Sequence, residues 1–330
     1  MNRHAQIIGT GSYVPEKLLT NADLSRLLGE DIDAFVAGKI GIRERHICAP
    51  DESTADLAVF AARAALDAAG VQPAELDLLI VATDTPEYLS PATSSVVQDR
   101  LGAYNAGTFD VNCACAGFVT ALDTAVKYIA TDEQYRTVLV IGAYAMSKFL
   151  DWTDKKTCTL FADGAGAVVL QASATPGFLA SSLAADGRYH RAMGIYAGGT
   201  HLPINEQVLA EGRQNKVRFV ERVPPEFNAE QWPRLIQKTL AKARLALDDV
   251  QHFFLTQINL GTITEVMQRL AQPLSKSHHI MHKWGYTGSA CLPMALDDAV
   301  KQGKLQPGEI IVFCGSGGGV AMGCLAFRWQ

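Results

Sequence analysis

The chain has 330 residues, enough for one large or two small domains with an ample core, and its 48% hydrophobic and 19% charged residues exclude a disordered or fibrous protein. Its net charge of -5 argues against a nucleic-acid surface, which needs clustered cations. The start Met1-Asn2-Arg3-His4-Ala5-Gln6 lacks a signal peptide's apolar core, no run reaches the roughly 18 apolar residues of a membrane span, and seven cysteines without framework spacing read as reduced thiols of a cytoplasmic protein with no zinc site.

In chain order, the first long element is a helix predicted over Thr54–Ala69, with Leu57, Ala61, Ala65 and Leu66 facing inward. It leads through Val71–Glu75 to an apolar strand, Leu76–Thr83. A short strand around Thr108–Cys113 then runs into Cys113-Ala114-Cys115-Ala116-Gly117, and a helix opens by Ala116. Phe118, Leu122, Val126 and Ile129 recur at three- and four-residue spacing and share one face of that helix. Cys115 therefore falls where the first helical amides are unpaired and the dipole is positive, a setting that stabilises a thiolate. The plainer alternative is an inert, buried cysteine. Small neighbours at Ala114, Ala116 and Gly117 would let a substrate or a second chain segment come close.

Further on, the strand Arg136–Gly142 precedes Gly164–Leu170, and Asp163-Gly164 reads as a turn. A polar segment from about Ala184 to Asn228 would link two halves and form part of a substrate mouth. A helix predicted over Trp232–Leu247, with Leu235, Ile236, Leu240 and Ala243 inward, leads to the strand Val250–Thr256. His278, His279 and His282 follow, either as acid–base candidates running toward a pocket or as a solvated strand end. The strand Glu309–Cys314 precedes Gly317-Gly318-Gly319. Helix-then-strand thus occurs twice, and strand-then-glycine-strand occurs twice. Continuous apolar strands alternating with amphipathic helices predict parallel sheets covered by helices. Two such halves, 1–175 and 176–330, imply a duplicated five-layered α-β-α-β-α architecture.

Five ordered segments resemble β-ketoacyl-acyl-carrier-protein synthase III of the thiolase superfamily. They are Gly41-Ile42-Arg43-Glu44-Arg45-His46, Gly107–Phe118 around Cys115, Leu160–Ala167, Gly285–Ala290 and Gly317-Gly318-Gly319. The resemblance spans nearly the whole chain and implies the same thiolase-like architecture. It also implies a two-step reaction. A cysteine, here Cys115, takes an acyl group from a coenzyme A thioester. A malonyl group on a carrier protein then loses carbon dioxide, and the resulting carbanion attacks the acyl-enzyme. The amides of Cys115 and Gly318 would form the oxyanion hole, since a glycine strand can aim bare N–H groups at developing charge.

The resemblance also marks a departure. The family's His-Gln-Ala-Asn segment aligns with Thr256-Gln257-Ile258-Asn259, and its catalytic asparagine aligns with Tyr286. Both enolate-stabilising side chains are replaced, while Gln257 and Asn259, the latter expected at the substrate, remain. Losing one such donor costs about 10²–10³ in rate, so malonyl decarboxylation is expected to be slow. Threonine and tyrosine are still donors and could serve another second substrate. Phe35 and Lys39 fall where the family contacts the adenine and phosphate of coenzyme A, and Lys155 or Lys156 where it holds another basic contact. These cations would also suit an acidic acyl carrier protein. Leu89-Ser90-Pro91 falls near the loop that closes the partner subunit's acyl tunnel. The resemblance thus implies a homodimer paired through the Thr108–Cys113 strand, with coenzyme A or phosphopantetheine thioesters as substrates and no cofactor. Three functions stay open: a condensing synthase for a specialised acyl product, a non-decarboxylating acyltransferase to oxygen, nitrogen or sulfur, and a non-catalytic heterodimer partner.

Overall fold

The structure is a computed structural model describing residues 3–330; Met1 and Asn2, part of the amino-terminal segment read above, lie outside the described residues. The strands of the first half are β1 (His4–Tyr13), β2 (Lys17–Thr20), β3 (Glu44–Ile47), β4 (Leu78–Ala82), β5 (Gly107–Val111), β6 (Thr137–Ala145) and β7 (Asp163–Ser173). Those of the second are β8 (Phe178–Ala185), β9 (Met193–Ile195), β10 (Val217–Phe219), β11 (Val250–Leu255), β12 (Ile310–Ser316) and β13 (Ala321–Arg328).

The main sheets run β1-β7-β6-β4-β5 and β11-β12-β13-β8. In the first, β4 is parallel to β5 and β6, while β7 is antiparallel to β6 and β1. The second repeats this pattern: β11 is parallel to β12, and β13 is antiparallel to β12 and β8. A fifth strand is reduced there to a single parallel bridge between Phe253 and Ser277. The expectation of parallel sheets is therefore corrected to mixed sheets. A strand buried on both faces reads as a continuous apolar run whichever way it points, so the sequence carried no sign of direction.

The Thr54–Ala69 helix has the expected bounds. Ser53 and Asp56 form a capping box at its start, and Gly70 ends it at φ 65°. Its small inward residues let it lie directly on β1, where a Cβ added to Gly9 would stand 2.5 Å from the Ala65 carbonyl. The second-half helix spans Phe227–Ala243, shifted from the predicted Trp232–Leu247. Pro233 lies inside this helix, and Arg244 stops it at φ 58°. Leu235, Ile236 and Leu240 are buried as expected, while Ala243 is only half-buried.

Two central helices, Gly117–Thr131 and Cys291–Lys301, lie between the sheets. Phe118, Leu122, Val126 and Ile129 are all buried, and the Phe118 ring meets Phe313 of β12 edge-on at 6.0 Å. The five layers are thus an outer helix, a sheet, the central helix pair, a second sheet and an outer helix. Asp163 is more than a turn residue. It opens β7 fully buried, and its carboxylate accepts from the amides of Cys48 (2.7 Å) and Ser147 (2.8 Å).

Candidate active site

β5 ends at Val111, and a single tight turn, Ala114–Ala116, precedes the helix that begins at Gly117. Ala114 sits at φ 47°, a left-handed conformation that costs a non-glycine residue energy and sets the angle at which Cys115 is presented. From the other half, the glycine strand crosses this turn: a Cβ on Gly317 would stand 2.6 Å from both the Cys115 amide and the Cys113 carbonyl. Only bare backbone fits there. Neither the Cys115 nor the Gly318 amide has an acceptor among the described residues, as an oxyanion hole requires.

Cys115, Thr256, Tyr286 and Gly318 line one cavity of about 350 Å³. Thr256 follows β11, its amide donating to the Cys314 carbonyl at 3.1 Å. Its hydroxyl is buried without a partner, beside Gly315, where any Cβ would overlap it. Tyr286 is 1% exposed and fixed by backbone exchange with Leu160 (3.0 Å) and Ala162 (2.9 Å). It lines the same cavity as Cys115, and its hydroxyl acts to lower the pKa of the Cys115 thiol.

The electrostatics depart from the expected thiolate. Cys115 is 2% exposed, and burial pushes its thiol above the ordinary value, with the nearby Asp84 carboxylate adding to the rise; donation from Tyr286 opposes both. Removing the sulfur from water outweighs what amides and hydroxyl return. Burial, and then Cys115 itself, pushes the Tyr286 phenol well up, so it is a neutral donor.

The remaining candidates scatter. Asn259 caps the Leu260–Arg269 helix, its Oδ1 accepting from the Gly261 amide at 2.7 Å, and it does not line the cavity. His278 is bound to Asp298 (2.8 Å) and Lys304 (3.1 Å), while His279 and His282 face each other edge-on at 6.0 Å; none of the three lines the cavity. Phe35 and Lys155 share a separate pocket of about 380 Å³ with Lys156 and Thr159, and Lys155 pairs with Glu30 at 3.0 Å. Lys39 is exposed outside that lining, and Leu89 is 85% exposed. The sequence did not single out Phe219, Glu221, Arg222 and Phe227, which line the cavity from the linking segment and the start of the next helix. The expected mouth-forming role of that segment was the only signal for them.

The sequence profile of 3-oxoacyl-[acyl-carrier-protein] synthase III matches residues 109–187, and the profile of its C-terminal part matches residues 240–329. A β-ketoacyl-[acyl-carrier-protein] synthase III of Thermosynechococcus vestitus is 39% identical over 323 residues, 98% of this chain and 97% of that protein. The chain belongs to the 3-oxoacyl-[acyl-carrier-protein] synthase III family.

Solved structures of synthase III proteins share the fold. The crystal structure from Aquifex aeolicus superposes with a TM-score of 0.88 at 34% identity, covering 98% of this chain and all (100%) of that one. The priming β-ketosynthase of the R1128 polyketide pathway superposes with a TM-score of 0.89 at 29% identity, covering 100% and 97%. Synthase III enzymes are acyltransferases, and this chain is one of that class. Its two profile matches divide the cavity: Cys115 lies in the first, and Thr256, Tyr286 and Gly318 lie in the second. No group of three potential metal ligands occurs among the described residues, and no helix there is long and apolar enough to cross a membrane.

Proposed function

We propose that this synthase III-type enzyme loads an acyl group onto Cys115 from acyl-coenzyme A or an acyl carrier protein and passes it to a second substrate for a specialised acyl product. The observation that carries the reading is one cavity holding Cys115, two unpaired amides and the Thr256–Tyr286 pair. The Cys115 sulfur attacks the thioester carbonyl, and the developing oxyanion takes the Cys115 and Gly318 amides. Tyr286 donates to the sulfur as charge accumulates on it. Phe219, Val223 and Ile258 give the acyl chain apolar walls. Phe35, Lys155 and Lys156 suit the nucleotide end of coenzyme A or a carrier protein's acidic face, with Lys39 as a further cation nearby in sequence.

Thr256 and Tyr286 favour a second reading of the later step, transfer to oxygen, nitrogen or sulfur without decarboxylation. Release of carbon dioxide from malonyl carrier protein separates the two. A non-catalytic role beside an intact homologue fits poorly with a retained Cys115 and two free amides. The working unit is a homodimer in the cytoplasm, paired through the half-exposed edge strand β5, with Leu89 at the partner's acyl tunnel. Intact mass after incubation with a panel of acyl-coenzyme A thioesters tests the core of this reading. Cys115→Ala should abolish the acyl mass shift and Cys113→Ala should keep it; a shift surviving in Cys115→Ala overturns the assignment.

A further inference from the structure

Asp84 lies two residues past the end of β4, where the neighbouring Thr83 amide still donates to the Val111 carbonyl at 3.1 Å. This places Asp84 next to Asn112, at the root of the turn that carries Cys115. Asp84 lines a cavity of about 250 Å³ with Asn112, Ala114, Met193, Gly318 and Gly319. Met193, Gly318 and Gly319 also wall the Cys115 cavity, so the two cavities are neighbours on either side of the glycine strand.

Other carboxylates among the described residues have partners, Asp123 included, whose Oδ2 takes the Lys127 ammonium although its Oδ1 is also unpartnered. Asp163 accepts two amides, Asp297 accepts the hydroxyls of Thr10 (2.9 Å) and Ser12 (2.5 Å), and Asp298 is held by His278 and Lys283. Asp84 has only its own amide, and its Oδ1 is buried with no partner. An orphaned carboxylate oxygen is costly unless the group turns neutral or meets a donor. Burial raises its pKa to about 6, where both protonation states are accessible near neutrality. The titratable groups facing it are Cys115, Tyr144, His190 and Tyr196. The Tyr144 hydroxyl is itself buried and unpartnered, His190 Nδ1 lies 3.1 Å from the Gly187 carbonyl, and the Tyr196 hydroxyl donates weakly to the His190 carbonyl (3.4 Å).

From this geometry we infer that Asp84 is the general acid–base residue of acyl transfer at Cys115, serving a non-decarboxylating acceptor that carries its own transferable proton. The inference rests on the acyl-Cys115 reading above. As the acceptor's thiol, hydroxyl or amine attacks the acyl carbon, the new bond forms and the carbon–sulfur bond to Cys115 breaks. The bonding pair stays on the sulfur. The acceptor's proton moves to Asp84 and from there to the Cys115 thiolate. Loading from acyl-coenzyme A is the same step reversed, with Asp84 protonating the departing coenzyme A sulfur.

The test compares donors whose leaving groups differ in their need for that proton. Loading of Cys115 is followed by intact mass from octanoyl-coenzyme A and from the 4-nitrothiophenyl thioester of octanoic acid, whose acidic thiol leaves unaided. Discharge of octanoyl-Cys115 by pantetheine is followed in parallel. Asp84→Asn should slow coenzyme A loading and pantetheine discharge by about 10²-fold, the usual scale of general acid–base catalysis, while nitrothiophenyl loading stays near wild type. Asp84→Glu should restore part of the loss. Equal rates for wild type and Asp84→Asn on all three reactions overturn the inference, and so does equal slowing on both donors, which marks a structural role. If wild type loads from neither donor, the acyl-Cys115 reading itself falls. Loading that is independent of Asp84 removes only this residue's role.

Discussion

At the residue scale, the replaced pair makes a sharp expectation. Thr256 and Tyr286 share the Cys115 cavity, so malonyl carrier protein should lose carbon dioxide slowly on the pre-acylated enzyme. Restoring Thr256→His with Tyr286→Asn should raise that turnover more than either change alone, because the two groups would bind one enolate oxygen and couple. Carbon dioxide release by wild type, both singles and the double decides it; brisk decarboxylation by wild type counts against the idea. The raised Cys115 thiol gives a second measure. Iodoacetamide should alkylate it more slowly than an exposed cysteine at neutral pH, with the rate climbing as pH rises. Tyr286→Phe should slow it further, since that hydroxyl is the side-chain contact that lowers the thiol's value; an unchanged rate would show that the hydroxyl does not act on the sulfur. Cys115, Thr256, Tyr286 and Gly318 were legible because each sits in a recognisable local run. Asp84 was not, since Thr83-Asp84-Thr85 looks like any strand end and the residues that share its cavity come from both halves. Asn259 misled because an asparagine before a helix is as much a capping signal as a ligand signal.

At the scale of elements, the helices were readable from their periodicity, and their ends were readable only where caps spoke clearly. Ser53, Asp56 and Gly70 coincide with the ends read for one helix, while the other starts at Phe227, earlier than read, with no side-chain cap. Strand direction was hidden by burial on both faces. The histidines before Tyr286 illustrate a different loss of information. Their place on a segment leading to Tyr286 made them acid–base candidates beside the reading of a solvated strand end, but packing turned His278 toward the Cys291–Lys301 helix, where it meets Asp298. Although burial alone would raise it, hydrogen bonds from His278 and Lys283 hold the Asp298 carboxyl down at about 2. A carboxyl whose folded value lies below its unfolded one contributes stability that is complete above about pH 4 and fades as pH falls toward 2. Asp298→Asn should therefore cost about 1–2 kcal/mol at pH 7, allowing for solvent screening, and almost nothing near pH 2. Urea unfolding at the two pH values measures this; an equal cost at both would assign the loss to packing.

At the scale of the whole molecule, the duplication was the most legible feature, because it is written twice in the same order of helix, strand and glycine strand. What one sequence could not show is that the copies end differently. In the first half β5 finishes the sheet as a half-exposed edge; in the second the corresponding position holds only the Phe253–Ser277 bridge. The inner edges, β1 and β8, come together near Gly177, where an added Cβ would stand 2.6 Å from the Ala5 carbonyl. Sedimentation at micromolar concentration should show a dimer, and Thr108→Pro, which removes an amide from β5, should weaken it; a stable wild-type monomer would count against pairing through this strand. The asymmetry between halves carries a consequence of the kind met in polymerisation chemistry. A unit with two reactive ends grows into a chain, whereas a unit with one can only be capped. β5 is the open edge of the first sheet, while the β11 edge of the second carries only that bridge, so a subunit that paired through β5 alone would be monofunctional. Pairing β5 with β5 about a two-fold axis would consume the same edge in both partners, so growth through that edge would terminate at two.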